Sequence, residues 1–442
     1  MGVLLKEKII SSIFIVADIC LLVASFYLAS FIRENISSEL VPLYENVALG
    51  DFYFAILITL LLLFYEKIYH FRYDFWQESL KILKACFIGF AVVMTVLALT
   101  KSNFTYSRMF LVLYFAILIV ALPLSKRIVK RIVFAFDICQ KKILLVGKKS
   151  STQEFQKELQ DNWYLGQVAC DEQYEQTIIV SQGLTVKELD KYIAEFLSKQ
   201  NTVFVVPYIS NINFAYSNIF EYSNIRQNAI EIENRLFVRW NLWIKNIFDA
   251  FGVLICLPVF CVLHIGIGLL IWLESRGQIL FRQQRLGQNN QTFTCYKYRT
   301  MYENSEDILA HYLEANPQEI EHYEIYHKYR FDPRITKVGR FLRLTSLDEL
   351  PQIINVLKNE MSLVGPRPYM ASEASKIKKD KDIILQVKPG ITGLWQTSGR
   401  SHLSFKQRNE LEVWYVRNWS LWIDIVILLK TVIIVFKMKG AK

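Results

Sequence analysis

The chain has 442 residues, a formal net charge of +10, 52% hydrophobic residues and only 21% charged residues. A typical soluble domain carries about 25% charged residues, and a disordered chain needs low hydrophobicity. The composition therefore argues against both an ordinary soluble enzyme and a disordered protein. At roughly 100–200 residues per domain, the length predicts two or three domains.

Four apolar runs fill the first part of the chain, at residues 11–32, 52–69, 82–100 and 109–125. A membrane-spanning helix needs about 20 mostly apolar residues, and aromatic and basic flanks extend the shorter runs. Basic residues precede the first run and follow the fourth, at Lys6, Lys8, Lys126, Arg127, Lys130 and Arg131. Because Lys and Arg favour the cytoplasmic side, residues 1–137 are predicted to form a four-helix transmembrane bundle with both ends in the cytoplasm.

The charge and the cysteines agree with this location. The seven cysteines are scattered and contain no Cys-x-x-Cys pair, which is poor support for a disulfide framework or a zinc site and suits a reducing, cytosol-facing protein. The positive charge has two ordinary explanations, cytoplasmic membrane flanks and the binding of anionic substrates.

Residues 138–235 have a different pattern. Ile143–Val146 predicts a strand that ends at Gly147, residues 185–199 predict a helix, and Val203–Val206 predicts a second strand. Strand, helix and strand in this order indicate a small Rossmann-like βαβ module. The turn after the first strand lacks the Gly-x-Gly-x-x-Gly pattern, so a structural module is favoured over a dinucleotide site.

A fifth apolar run, about 247–273, contains Pro258 near its middle and has basic residues on both flanks. Both ends therefore prefer the cytoplasm, which favours a re-entrant helix, kinked at Pro258, that enters and leaves by one face. The alternative is an ordinary fifth span that would place the remaining chain outside. A last apolar run, 420–437, carries Asp424 and Lys430, which predicts a helix lying in the membrane interface.

The segment from Ser346 to Gln352 carries an acidic pair, Asp348 and Glu349. Ser346-x-x-Glu349 has the pattern of a capping box, and leucine and isoleucine follow at helical spacing, so a helix is predicted to begin near Ser346. Taken alone, acidic residues in a first helical turn are usually explained by capping and the helix dipole.

Cationic residues around this pair favour a chemical role. They lie at Arg282, Arg285, Lys297, Arg299, Arg334, Lys337, Arg340 and Arg343, and at Arg367 within Gly365-Pro366-Arg367-Pro368. Guanidinium groups bind phosphate oxygens bidentately, and a carboxylate together with substrate phosphates is the usual way to hold Mg²⁺. A carboxylate can also attack phosphorus as a nucleophile. For any single arginine a solvated surface role stays the ordinary explanation.

Seven short blocks, in order, resemble the bacterial sugar transferase family, the polyprenyl-phosphate glycosyl-1-phosphate transferases with a monotopic catalytic domain. The blocks are Arg282–Gly287, Tyr296–Met301, Asp332–Arg343, Thr345–Gln352, Met361–Pro368, Lys388–Arg400 and Tyr415–Asp424. The resemblance covers residues 240–442 strongly, and the preceding bundle and module resemble the long form of the family. Glu412 stands where that long form usually has Asp.

The resemblance implies transfer of a hexose 1-phosphate, galactose or glucose, from a UDP-sugar to undecaprenyl phosphate with Mg²⁺, which starts a capsule, exopolysaccharide or O antigen. It makes Asp348 the nucleophile that carries a phosphosugar, with release of UMP, and Glu349 the Mg²⁺ ligand. The substrate-binding residues that it implies are Arg285, Lys297, Arg299, Arg340, Arg343, Pro366, Arg367 and Pro368.

The predicted fold class is therefore a membrane protein with a helical bundle at 1–137, a Rossmann-like α/β module at 138–235 and a monotopic, mostly α-helical catalytic domain at 236–442. The expected location is the bacterial inner membrane, with the catalytic domain facing the cytoplasm. Membrane lipid, the UDP-sugar and undecaprenyl phosphate are the expected partners, nucleic acid is not, and a homodimer is left open. Two alternatives are a multispan transferase that uses direct displacement and a non-catalytic scaffold that regulates polysaccharide assembly.

Overall fold

A computed structural model describes residues 2–37, 48–99, 108–172, 174–199, 202–208, 212, 214, 217–222, 227–320, 329, 331–377, 380–398 and 403–437. Gly399 and Arg400, at the end of one family block, are outside these ranges. The chain forms two compact units, Met1–Tyr208 and Ile209–Lys442. The division into three domains made from the sequence stays a prediction.

The first unit begins with four helices, Gly2–Ser37 (α1), Leu49–Tyr65 (α2), Phe75–Leu99 (α3) and Arg108–Val133 (α4). They pack around one apolar core in which Phe52 meets Tyr114 edge to face, with ring centroids 4.9 Å apart. Within the described residues, α1, α3 and α4 are long and apolar enough to cross a membrane, whereas α2 has only 17 residues. The helical character of this region is confirmed.

Two buried ion pairs lie inside this helical core. Lys126 is 2.7 Å from Asp18, and Lys130 is 2.6 Å from Glu78, with all four side chains almost fully buried. The sequence pattern places Lys126 and Lys130 on the cytoplasmic flank of the fourth run, but here they neutralise acids on neighbouring helices. A buried charge needs such a partner because its desolvation is costly.

A parallel sheet follows in the same unit, with strands Lys141–Gly147 (β1), Gln167–Ala169 (β2), Gln176–Val180 (β3) and Val203–Val206 (β4) in the order β2-β1-β3-β4. Its helices are Lys149–Asp161 (α5) and Val186–Leu197 (α6), and Thr185 closes a capping box at the start of α6. The small α/β module is thus confirmed. The direct βαβ link from β1 through residues 185–199 to β4 is wrong, because the fully buried strand β3 lies between β1 and β4.

The second unit is mostly helical, as predicted. Its helices are Arg239–Glu274 (α7), Ser305–Ala315 (α8), Lys337–Thr345 (α9), Ile353–Leu357 (α10), Lys381–Ile384 (α11), Leu394–Thr397 (α12), Phe405–Arg417 (α13) and Leu421–Lys437 (α14). Three strand pairs join them: Ile219–Tyr222 (β5) with Gln227–Ile230 (β6), Leu280–Leu286 (β7) with Thr292–Tyr298 (β8), and Ser362–Val364 (β9) with Gly390–Thr392 (β10).

Helix α7 runs without interruption through Pro258 for 36 residues. It contacts its own unit along its length: Asp249 accepts a hydrogen bond from the Leu363 N–H (3.2 Å), and Glu274 accepts two from the first N–H groups of α9. Its outer face leaves Phe251, Val262 and many other apolar side chains exposed. The helix is long and apolar enough to cross a membrane, yet both of its ends are tied to the same unit.

The start of α7 is held by a buried ion pair between Lys245 and Asp424 (2.7 Å). Lys245 also donates to the Val364 carbonyl (3.0 Å), while Tyr415 (2.7 Å) and Trp419 (2.9 Å) donate to the Asp424 carboxylate. The sequence used Asp424 to predict an interfacial position for the last helix. In the structure its carboxylate is buried in α14, where it accepts hydrogen bonds from Lys245 of α7 and Tyr415 of α13, and Lys245 adds the link to β9. The interfacial position of α14 stays a prediction.

Replacing Lys245 by Met should destabilise the second unit by about 3–5 kcal/mol, because Asp424 would keep its buried charge without a cation. The double variant Lys245→Met/Asp424→Leu removes both charges and should recover a large part of the loss. Thermal unfolding of the purified protein in detergent measures both. Equal melting temperatures for the single and double variants would show that the pair is not coupled.

Candidate active site

The acidic pair lies on a tight turn rather than at the start of an α-helix. Ser346 has a left-handed backbone (φ 58°) and ends α9, and residues Leu347–Gln352 then form a 3₁₀ helix. The Ser346 side chain makes no capping hydrogen bond, so the predicted capping box is wrong. Pro351 lies inside this 3₁₀ helix and has no N–H to continue a helical hydrogen-bond ladder. Asp348 and Glu349 still occupy the first turn.

This turn lines a cavity of about 1060 Å³, at the upper end of the usual range for ligand sites. The cavity wall includes eight of the residues predicted from the sequence: Arg285, Lys297, Arg299, Arg343, Asp348, Glu349, Arg367 and Pro368. Three other predicted residues are not part of the wall. Arg340 lies over the Phe331 ring (5.6 Å), Pro366 is buried, and Pro258 is on the exposed side of α7.

Charge is distributed unequally between the two carboxylates. Lys297, on β8, pairs with Glu349 at 2.6 Å. Burial, together with the neighbouring Glu349 charge, raises the pKa of Asp348 from 3.8 to about 6, while Lys297 and Arg343 oppose the shift. Asp348 is therefore poorly solvated, yet it is ionised in most molecules at neutral pH. These are the properties of a reactive carboxylate.

Two arginines form a second charged cluster in the cavity wall. Arg285, on the β7 hairpin strand, donates to the Pro368 carbonyl (3.2 Å) and lies 3.7 Å from Glu373. Arg367 lies 3.5 Å from the other oxygen of Glu373. Burial, together with the Arg367 charge, lowers the pKa of Arg285. One carboxylate between two guanidinium groups leaves an excess of positive charge, which suits an anion.

The loop that carries Arg367 is fixed from two sides. Gly365 and Gly390 form hydrogen bonds with the opposite strand and loop, and a Cβ on Gly390 would overlap the Gly365 backbone. From below, the buried Glu412 accepts a hydrogen bond from the Arg367 N–H (3.0 Å), and burial raises the pKa of Glu412 to about 8. Both contacts set the backbone geometry from which the Arg367 side chain extends.

Sequence reasoning did not single out Trp395 and Arg408 as site residues. Trp395, on α12, lies beneath the guanidinium groups of Arg408 (5.2 Å) and Arg367 (6.0 Å), and all three line the cavity. Trp395 falls within a family block, so a closer use of that block could have found it. Arg408 lies outside every block and is brought to the cavity only by the packing of α13 beside α12.

The donor chemistry of the acidic pair fits Mg²⁺. Asp348 and Glu349 offer hard carboxylate oxygens at one point of the cavity wall, and Mg²⁺ characteristically takes one or two carboxylates and completes its shell with substrate phosphates and water. No group of three or more His, Cys, Asp or Glu side chains within the described residues could hold a metal alone. A carboxylate pair among so many cations has the chemistry that suits a phosphorylated, anionic ligand.

Comparisons with known proteins agree with this class. Residues 240–438 match the family described as bacterial sugar transferase. The chain is 31% identical to an undecaprenyl-phosphate galactose phosphotransferase from Salmonella typhimurium over 84% of each chain. It is 30% identical to a UDP-galactose-lipid carrier transferase from Erwinia amylovora, over 86% of this chain and 85% of the relative. A Komagataeibacter xylinus undecaprenyl-phosphate glucose phosphotransferase is 36% identical over 46% of this chain and 37% of its own.

The chain belongs to the bacterial sugar transferase family, as its sequence blocks indicated, and it is a sugar-phosphate transferase. The two relatives from Salmonella and Erwinia match 84% and 86% of the chain, so the similarity extends beyond residues 240–438 into the first unit. The match to the family itself covers the unit that contains the cavity.

Replacing Arg367 by Lys should reduce kcat/KM for the sugar-phosphate donor about 10- to 150-fold, because a lysine cannot make two parallel hydrogen bonds to a phosphate. Arg340→Lys is the matched control, since Arg340 stacks on Phe331 outside the cavity. Steady-state kinetics of both variants test the assignment. Wild-type kinetics in Arg367→Lys, or an equal loss in Arg340→Lys, would contradict it.

Proposed function

We propose that the protein transfers a hexose 1-phosphate from a UDP-sugar to undecaprenyl phosphate, through a phosphosugar carried covalently by Asp348. The observation that supports this most directly is the half-buried Asp348, with its pKa raised to about 6, in a cavity wall that also presents Lys297, Arg285 and Arg367. A scaffold protein would have no use for such a carboxylate in a cavity of this size.

In the first step, one oxygen of the Asp348 carboxylate attacks the phosphorus that bears the sugar. A bond forms between this oxygen and the phosphorus, and the bond from the phosphorus to the bridging oxygen of the diphosphate breaks. UMP leaves with the electron pair of that bond. The raised pKa supports this role, because a poorly solvated carboxylate is a stronger nucleophile than an exposed one.

In the second step, an oxygen of the lipid phosphate attacks the same phosphorus. The bond to Asp348 breaks, the carboxylate is regenerated, and undecaprenyl-diphosphate-sugar is the product. Arg285 and Arg367 would orient the diphosphate and neutralise its charge, in keeping with their shared excess of positive charge beside Glu373. The Lys297 ammonium would hold Glu349 in position for the substrate.

We propose Mg²⁺ as the cofactor, held by Glu349 and the substrate phosphates. When bound, it would neutralise charge on the leaving UMP. Glu349→Gln should then reduce the response of the rate to added Mg²⁺. The same substitution removes the ion pair between Lys297 and Glu349.

We also propose that the cavity-bearing unit lies on the cytoplasmic face of the bacterial inner membrane, with α7 re-entrant and α1 to α4 in the bilayer. The supporting observations are the apolar length of α1, α3, α4 and α7, the apolar character of the shorter α2, and the contacts that bind both ends of α7 to one unit. The water-soluble UDP-sugar and the membrane-bound acceptor would meet there. The relatives from Salmonella and Erwinia favour galactose as the sugar, and we propose capsule, exopolysaccharide or O-antigen synthesis as the pathway.

Incubation with UDP-galactose labelled in the phosphate next to the sugar, without lipid acceptor, tests the covalent step. Label should stay on the protein and UMP should appear in about equal amount. Both should be absent in Asp348→Asn, whose amide is not a nucleophile, and UDP-glucose run in parallel tests the sugar. UMP release that strictly requires lipid phosphate, or an Asn variant with near wild-type turnover, would favour direct displacement.

The rate of this first step should depend on pH through Asp348. Its carboxyl group has a pKa of about 6 in the free enzyme, and only the deprotonated form attacks, so kcat/KM should rise with pH and level off above about pH 7. Glu412→Gln is the control. The pKa of Glu412 is about 8, so removing this carboxyl group should leave the rise of kcat/KM around pH 6 in place. A flat profile from about pH 5 to pH 7 would contradict the assignment.

A further inference from the structure

We infer that the isoprenoid chain of the acceptor lipid leaves the cavity along one face of α14, formed by Thr431 and Val435, with Ile391 of β10 in the same cavity wall. This inference rests on the proposed function, since it concerns the second substrate of the same cavity. The face joins the wall that contains Asp348 to the apolar outside of the last helix.

The cavity wall has two chemical characters. Most of its charged side chains come from the β7–β8 hairpin, the Asp348 turn and the Arg367 loop. The last helix contributes only Thr431 and Val435 among the described residues, and Ile391 of strand β10 lines the same cavity. A UDP-sugar is polar along its length and carries its negative charge on the diphosphate, so it needs the charged part of the wall and gains little from the apolar part.

The hydroxyl group of Thr431 is already used within the protein. It donates to the Ile427 carbonyl (2.8 Å) and lies 2.7 Å from the Thr392 hydroxyl. Its one hydrogen is therefore committed, and Thr431 adds little polar capacity to the wall. Thr431 and Val435 are four residues apart, which places them on the same face of the helix.

Beyond the cavity, the same helix presents the exposed apolar side chain of Val432 next to this face, whereas Leu429 and Ile433 are exposed on its far side. A ligand with a phosphate head and a long hydrocarbon tail matches this sequence of surfaces: cations near the reacting carboxylate, then an apolar wall, then an apolar outer surface. The acceptor is such a ligand, and its phosphate has to reach the phosphorus on Asp348. A tail that ran over the charged part of the wall would lose its apolar contacts.

The test separates the two half-reactions in the full-length protein, in detergent–lipid micelles. Val435→Glu places a charge in the proposed path, and kcat/KM for undecaprenyl phosphate should fall by at least about tenfold. UMP release and protein labelling with UDP-galactose alone should stay within about twofold of wild type. Ile433→Glu, on the opposite side of α14, is the matched control and should affect neither half-reaction strongly. Val435→Trp, which blocks the path without a charge, should repeat the acceptor-specific loss.

Three outcomes would overturn the inference. Unchanged acceptor kinetics in Val435→Glu and Val435→Trp would show that the tail takes another route. Equal losses in Val435→Glu and Ile433→Glu would show that α14 merely contacts bulk membrane lipid. A loss of the donor half-reaction in both Val435 variants would place the donor against this face. If the wild type releases no UMP without acceptor, the covalent mechanism fails instead, and acceptor titration of full turnover in Val435→Glu and Ile433→Glu decides the path.

Discussion

The cavity-bearing unit depends on the buried ion pair between Lys245 and Asp424. A single ammonium group at the start of the long apolar helix is 2.7 Å from a carboxylate near the start of the last helix, and it also holds the Val364 carbonyl. Val364 is followed directly by Gly365, where the loop carrying Arg367 begins. Because a buried charge is costly without its partner, this pair determines how the two apolar helices and the Arg367 loop lie relative to one another.

The three carboxylates around the cavity differ in how closely a cation neutralises them, and this difference has chemical consequences. Glu349 has Lys297 as a close partner, and Glu373 is shared by Arg285 and Arg367. Asp348 is left with burial and a like-charged neighbour, which together raise its pKa. The wall therefore combines one carboxylate of raised basicity with several cations whose charge is only partly neutralised. An anionic diphosphate would neutralise the remaining positive charge of these cations. We therefore expect substrate binding to change the electrostatic environment of Asp348 and with it the reactivity of its carboxylate.

Helices α7 and α14 each have an inner side that faces the core or the cavity and an outer side that exposes apolar side chains. The inner side of α7 packs Val253 against Ile353 and Met361, close in sequence to the Asp348 turn, while its outer side leaves Phe251, Val262 and Ile265 exposed. The last helix likewise lines the cavity with Val435 and leaves Ile433 exposed on its far side. Burying the inner faces stabilises the unit, and the outer faces offer contact to lipid. An enzyme whose substrates differ in polarity needs both surfaces close to its reacting group.

Composition and local pattern alone determined the apolar helices, the strand Val203–Val206 and the helix after Thr185, and the resemblance of seven short blocks to known transferases indicated the family. These features depend on residue type and short spacing, which a single chain displays directly. Tertiary structure decided the rest. The left-handed Ser346 and Pro351 turned an expected capping box into a 3₁₀ turn, the buried strand β3 separated β1 from β4, and Lys126 and Lys130 became ion-pair partners. Packing likewise selected Trp395 and Arg408 for the cavity and left Arg340 outside, since which arginine reaches a site depends on how distant segments fold together.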